Sequence, residues 1–71
     1  MLEHYYYNLN TDLKGNHEVH RADCSYLPLP QNREYIGLFN SCRDAILKAK
    51  FKTGKENFDG CYWCARECHT G

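Results

Sequence analysis

The feature that most constrains this fold is the placement of cysteine and histidine side chains in two separated groups. Cys61 and Cys64 form a Cys-x-x-Cys pair directly after Gly60, and His20 and Cys24 lie far upstream. Two thiolates at this spacing can bind one metal ion, with metal–sulfur distances of about 2.3 Å for zinc. A metal ion bound by both groups would tie two distant parts of a short chain together.

The chain is short, and its size makes such a cross-link valuable. With 71 residues it is expected to form a single small domain, 1–71, because so short a chain cannot enclose two cores. A domain near this size buries only about 60% of its unfolded surface, so its core alone is marginal. The five cysteines would leave one thiol over in a closed set of disulfides.

Composition favours a cytoplasmic location and reduced cysteines. The first residues lack a basic leader with an apolar stretch, and no segment approaches the roughly 18 apolar residues of a membrane span. We therefore expect no membrane partner, and clustered cysteines and histidines that bind metal rather than form disulfides. The nine basic and nine acidic side chains balance, whereas nucleic-acid-binding proteins usually carry a basic face.

The residue pattern predicts an α+β fold with a small antiparallel sheet of about three strands and one main helix. Strands are expected at residues 4–9, 18–21 and 35–39, with the first two forming a hairpin. Ser41 is a suitable N-terminal cap for the helix, and Gly54 is a suitable C-terminal stop.

The predicted helix has one clear buried face. Cys42, Ala45, Ile46 and Ala49 follow the i, i+3, i+4, i+7 spacing of an amphipathic helix. Cys42 is therefore expected to pack in the core as a small apolar side chain, with a metal or disulfide role as the alternative. Residues 55–60 are predicted to be a polar loop ending in a turn, followed by a short C-terminal helical turn.

The fourth ligand, beside the three cysteines of the two groups, has several candidates. His20 has suitable spacing, and His17 is also within reach. In a helical turn Cys68 would share a face with Cys64 at i, i+4, so Cys68 competes with His20 for this position. His69 would point away from that face.

The motif His20-Arg21-x-x-Cys24, followed by a capped helix and then Cys61-x-x-Cys64, resembles the metal-binding domain of the Ada alkylation-repair family. It is closer still to small Ada-like zinc modules that begin with His-Arg-x-x-Cys. The resemblance implies an α+β fold stapled by Zn²⁺, with His20, Cys24, Cys61 and Cys64 as ligands. In Ada the first of these ligands is a cysteine that accepts a methyl group from DNA phosphotriesters. An imidazole is a far poorer nucleophile, so this methyl transfer is not implied here.

The expected function is that of a structural zinc-binding module that binds a protein or nucleic-acid partner. We find no catalytic constellation, and four protein ligands leave no open coordination position, so no enzyme activity is expected. One alternative is a thiol redox or sensor protein in which Cys61 and Cys64 alternate between dithiol and disulfide. A second alternative is a nucleic-acid-binding accessory module, which would bind in a salt-dependent manner.

Overall fold

Residues 1–70, which the computed structural model describes, form four strands and one helix around a small core. The elements are β1 (Glu3–Thr11), β2 (His17–Arg21), β3 (Arg33–Phe39), α1 (Cys42–Thr53) and β4 (Phe58–Gly60). The strand order is β3-β1-β2-β4, with β1 antiparallel to both of its neighbours and β4 parallel to β2. Two short 3₁₀ helices complete the fold, at Pro30–Asn32 and Arg66–Cys68.

The predicted α+β class is confirmed, but the prediction of a purely antiparallel sheet of about three strands is wrong. The added strand is β4, which lies where a polar loop was expected and makes the sheet mixed. Phe58 of β4 is buried, and its ring packs edge-on against the ring of Tyr7 at a centroid distance of 5.2 Å. A strand of three residues is too short to show the alternation of apolar and polar residues that marks longer strands.

The tyrosines of β1 alternate between the two faces of the sheet, as its strand pattern predicts. Tyr5 and Tyr7 are buried in the core, where Val19 and Ile36 of the neighbouring strands also lie. Tyr6 is less buried and packs against Tyr35 of β3 at a ring-centroid distance of 5.2 Å. The sheet therefore buries one aromatic face and leaves a second aromatic face more open.

The helix α1 begins and ends as the sequence predicts. The hydroxyl of Ser41 accepts a hydrogen bond from the backbone N–H of Asp44 at 3.2 Å. Gly54 has a positive φ of 73° and donates its N–H to the carbonyl oxygen of Lys50. The buried face contains Cys42, Ala45 and Ala49. No helix among residues 1–70 is long and apolar enough to cross a membrane.

A disulfide bond joins Cys42 of α1 to Cys68 of the C-terminal 3₁₀ helix. Cys42 is buried in the core, as the helix pattern predicts, but the expectation that the cysteines stay reduced is wrong for this pair. The two Cα atoms are 6.4 Å apart, although the residues are separated by 26 positions in the sequence. The disulfide therefore fixes the predicted C-terminal helical turn against α1.

Candidate metal centre

Four side chains meet at the end of β2, and they are His20, Cys24, Cys61 and Cys64. Their ligand atoms all lie within 4.8 Å of one another. The sulfur of Cys24 is 3.9 Å from the sulfur of Cys61 and 3.7 Å from Nδ1 of His20. The sulfur of Cys64 is 4.0 Å from the same nitrogen. Thiolates about 2.3 Å from a tetrahedral zinc ion lie about 3.8 Å apart, so this spacing matches the edges of a coordination tetrahedron.

Short backbone hydrogen bonds place the three cysteines. The N–H of Cys61 donates to the carbonyl oxygen of Val19 at 2.9 Å, which continues the pairing of β4 with β2 by one residue. The N–H of Ala65 then donates to the carbonyl oxygen of Cys61 at 2.9 Å and closes the turn that contains the Cys-x-x-Cys pair. On the upstream side, the N–H of Cys24 donates to the carbonyl oxygen of Arg21 and turns Cys24 back over the end of β2.

Gly60 lets the C-terminal segment approach β4 closely. A Cβ atom at this position would lie 2.5 Å from the carbonyl oxygen of Ala65 and 2.7 Å from Cβ of Cys68. Both distances are far shorter than van der Waals contact, and one involves the backbone. Glycine is therefore required directly before the Cys-x-x-Cys pair, because any larger residue at position 60 would collide with the segment that contains the 3₁₀ helix.

His20 is oriented with one ring nitrogen toward the sulfurs and the other toward a carboxylate. Its side chain is only 2% exposed, and burial lowers its pKa, which favours the neutral imidazole that binds metals. Nε2 lies 3.6 Å from Oε1 of Glu18 and has no hydrogen-bond partner. This distance is too long for a hydrogen bond, but metal-bound histidines commonly direct their second N–H toward a carboxylate. Glu18 is therefore placed to orient the imidazole.

The remaining candidate ligands lie elsewhere. Nδ1 of His17 is 2.8 Å from the carbonyl oxygen of Asn8, which makes it a backbone hydrogen-bond partner. The sulfur of Cys68 is bonded to Cys42 and is not free to compete for a metal ion. Nδ1 of His69 lies 3.0 Å from the carbonyl oxygen of Gly60. The structure thus brings together the ligand set that the family resemblance implies and places the competitors outside it.

The thiols occupy an environment that disfavours free thiolates but contains donors for bound ones. Burial raises the pKa of Cys61, and the backbone N–H groups of Cys64 and Trp63 partly offset this rise. Burial also raises the pKa of Cys64, whose sulfur accepts a hydrogen bond from the backbone N–H of Arg21 at 3.4 Å. A divalent cation would reverse the protonation state, because a coordinating thiol is deprotonated. Each N–H group would then donate to a thiolate.

A cavity of about 260 Å³ lies beside the two half-buried cysteines, Cys24 and Cys64. It is flanked by the rings of Tyr26 and Trp63, which stack at a centroid distance of 5.5 Å and an angle of 19°. Both rings remain more than half exposed to solvent. The outer side of the cluster therefore borders an open aromatic surface, while its inner side is formed by the ends of β2 and β4.

Sequence reasoning missed Asp59, which stabilises the segment after the cluster. This side chain is 2% exposed and was assigned to a turn, although it belongs to β4. Its Oδ1 accepts hydrogen bonds from the N–H groups of Gly60 and Thr70, at 2.9 and 2.7 Å, and from the hydroxyl of Thr70 at 3.1 Å. An Asp-Gly dipeptide is a common turn signal, so nothing local in the sequence distinguishes this buried role.

Comparison of the chain with protein-family models, with curated proteins and with solved structures finds no match. The likeness to Ada-like zinc modules thus depends on the residues of the two ligand groups and on the capped helix between them.

Proposed function

We propose that this chain is a structural zinc-binding module of the Ada-like type that acts by binding a macromolecular partner. The observation that carries the proposal is the convergence of one imidazole and three thiol groups within 4.8 Å. Three thiolates with one imidazole are a frequent ligand set of structural zinc, and thiolate ligands disfavour magnesium and calcium. Zinc at this position would join the end of β2 to the segment after β4.

The same geometry supports a structural role over a catalytic one. Four protein ligands fill a tetrahedral zinc site, whereas a catalytic zinc keeps one position for water or substrate. Two of the ligands, His20 and Cys61, are each only 2% exposed, which keeps solvent from their side of the ion. The proposed module is therefore not an enzyme. Its proposed location is the cytoplasm, where the three cluster thiols stay reduced.

The two alternative functions have less support. A redox dithiol needs a low thiol pKa, but burial raises the pKa of both Cys61 and Cys64. A nucleic-acid-binding module needs a basic surface, and the formal net charge of the chain is zero. Reversible oxidation of the two thiols in the zinc-loaded protein, or salt-dependent binding of DNA or RNA, would revive the corresponding alternative.

Metal analysis of the purified protein tests the proposal. We expect one zinc ion per chain by elemental analysis, and substitution with Co²⁺ should give the intense visible absorption of a tetrahedral site and sulfur-to-metal charge-transfer bands. His20→Ala should weaken zinc binding strongly, while His17→Ala is a matched control outside the cluster. Cys42→Ala and Cys68→Ala should retain one ion. Protein that contains no zinc and shows no response to added Zn²⁺ or Co²⁺ would overturn the proposal.

A further inference from the structure

The helix α1 carries a second apolar stripe that the core does not use. Leu47 and Phe51 are one turn apart on the helix and are 57% and 84% exposed. Arg43 and Lys50 lie on the same face, since residues 43, 47, 50 and 51 follow helical spacing. Both side chains therefore leave most of their apolar surface in contact with solvent. Their placement on one stripe is typical of a contact surface.

This stripe borders a groove between α1 and the C-terminal 3₁₀ helix, which we call the α1 groove. Its volume is about 410 Å³, and its lining is mainly apolar around Ile46 and Leu47. Cys68 contributes to the lining, so the disulfide to Cys42 fixes the distance between the two walls. The full lining is Arg43, Ile46, Leu47, Lys50, Glu67 and Cys68. The groove is thus a concave surface whose shape depends on a covalent bond.

Two of the three charged residues that line the α1 groove are basic, although the chain as a whole is neutral. The basic rim consists of Arg43 and Lys50, and the acidic residue is Glu67. Lys52 lies elsewhere, because it pairs with Glu34 and donates to the carbonyl oxygen of Tyr35. The ammonium group of Lys48 lies 5.7 Å from the centroid of the Phe51 ring. The pair between Lys50 and Glu56 is long, at 3.8 Å, and Glu56 is 89% exposed, so water screens it and a partner can replace it.

We propose that the α1 groove binds an acidic segment of a partner protein whose apolar side chains enter the groove while its carboxylates face the basic rim. This inference rests on the proposed function, because it names the kind of partner that the module binds. Charge complementarity selects the occupant, since apolar anchors with a basic rim match an amphipathic acidic segment.

Two other occupants fit the surface less well. A second copy related by a two-fold axis would bring the same patch against itself, so the basic rims would face each other and repel. An anionic membrane is flat, whereas the groove is concave. A protruding side chain of a polypeptide can enter the groove, and a lipid surface cannot do so without deforming.

Fluorescence anisotropy with labelled peptides tests this proposal on the full-length, zinc-loaded protein. The probes are amphipathic helical peptides with glutamates on the polar face and leucine or phenylalanine on the apolar face. We expect saturable binding that weakens with added salt and falls about tenfold in Leu47→Ala, as is typical of central interface residues. Phe51→Ala should have a smaller effect, because Phe51 lies on the stripe beside the groove and does not line it. Leu13→Ala is the matched control, because Leu13 is a fully exposed leucine at the β1–β2 turn. It should bind the peptides as the wild type does.

Reversing the charge of the basic rim gives a second test, in which the peptide preference should change from acidic to basic. Arg43→Glu with Lys50→Glu should abolish binding of acidic peptides and create binding of the corresponding lysine peptides, while Lys14→Glu should change neither. The proposal is overturned if no peptide of the set binds, if Leu47→Ala binds normally, or if phosphatidylserine vesicles bind with the same dependence on Leu47. Concentration-dependent dimerisation that is lost in Phe51→Ala would also overturn it.

Zinc content is measured on each variant, so that failure of the groove proposal is distinct from failure of the proposed function. A Leu47→Ala variant that retains one zinc ion and binds the peptides as the wild type does counts against the groove alone. Wild-type protein that binds the acidic peptides yet contains no zinc and takes up none counts against the structural zinc site alone. The Cys42→Ala, Cys68→Ala double variant should retain zinc but bind the peptides less tightly, because the groove then loses the bond between its walls.

Discussion

The candidate metal cluster and the disulfide, which would act as two cross-links, contact the same C-terminal segment from opposite sides. A metal ion at the candidate cluster would join Cys61 and Cys64 to the end of β2, where His20 lies. The disulfide joins Cys68, a few residues later, to Cys42 in the first turn of α1. Residues 61–70 contain only a short 3₁₀ helix, so these two links would position them together with the hydrogen bonds to Val19 and Asp59. One link fastens the segment to the sheet and the other fastens it to the helix.

The cross-links differ in what they demand of the sequence. The metal cluster uses two pairs of near neighbours, and each pair is placed by a local turn. The disulfide uses two residues 26 positions apart, whose approach depends on the packing of α1 against the 3₁₀ helix. This difference teaches that local spacing can reveal a metal site in a small domain, whereas a disulfide partner emerges only from the tertiary fold.

Removal of the metal should have the largest effect on this molecule. Structural zinc in small domains has apparent binding free energies of about 10–16 kcal/mol, which exceeds the stability of most domains of this size. A strong chelator should therefore abolish cooperative unfolding and the near-ultraviolet circular dichroism of Trp63. Cys61→Ser should do the same without chelator. An identical melting temperature before and after zinc is removed would show that the link between the C-terminal segment and the sheet contributes little to stability.

Loss of the disulfide should be the next largest effect. The free energy of unfolding of the double variant Cys42→Ala, Cys68→Ala should be about 3 kcal/mol lower than that of the wild type. The reason is that the disulfide restricts a loop of 26 positions in the unfolded chain. Urea unfolding of the zinc-loaded variant against the oxidised wild type measures this loss. Zinc stoichiometry should stay at one ion, since the sulfurs of this pair lie outside the cluster. Loss of zinc together with the disulfide would mean that the two links are one cooperative unit.

Sequence reasoning succeeded where structure is set locally. The cap at Ser41, the stop at Gly54 and the buried stripe of α1 all depend on residues within a few positions of one another. The family resemblance likewise singled out the four side chains that the structure brings within 4.8 Å. The signal for the helix lies inside a single element, and the signal for the cluster lies inside two short motifs.

Prediction from sequence failed where a role depends on distant packing. Strand β4 forms because residues 58–60 lie beside β2 once the hairpin exists, and its three residues carry no strand pattern of their own. If three of the five cysteines bind a metal ion, the remaining two, Cys42 and Cys68, are free to form a disulfide. The sequence identifies these two only once the three ligands are known, and it gives no information about the distance between them.

Gly60→Ala should have the third largest effect on stability, because the added Cβ pushes β4 away from the segment that contains Ala65 and Cys68. The added Cβ would meet the backbone oxygen of Ala65, which cannot move away as a flexible side chain can. We expect a loss of about 2–3 kcal/mol from overpacking and a weaker zinc affinity. Gly54→Ala is the control, since it meets no atom within 4 Å and costs only about 1 kcal/mol for its positive φ. Equal losses in the two variants would remove the packing argument at Gly60.

Asp59→Asn should give the smallest effect, and it tests whether anything besides the two cross-links holds the end of the segment. Its carboxylate accepts hydrogen bonds from Gly60 and Thr70 in a buried position, and the amide weakens them without removing every acceptor. We expect the free energy of unfolding to fall by about 1 kcal/mol, because hydrogen bonds to a charged carboxylate are replaced by weaker ones to a neutral amide.

Amide hydrogen exchange locates this effect. The N–H of Thr70 should exchange faster in Asp59→Asn, while the N–H of Cys61, which donates to β2, should keep its protection. Asp23→Asn is the matched control, because the Asp23 carboxylate is exposed and its ion pair with Arg21 should change stability little. If Thr70 exchanges at the wild-type rate in Asp59→Asn, the buried carboxylate contributes nothing that the zinc and disulfide links do not already supply, and those links alone position the C-terminal segment.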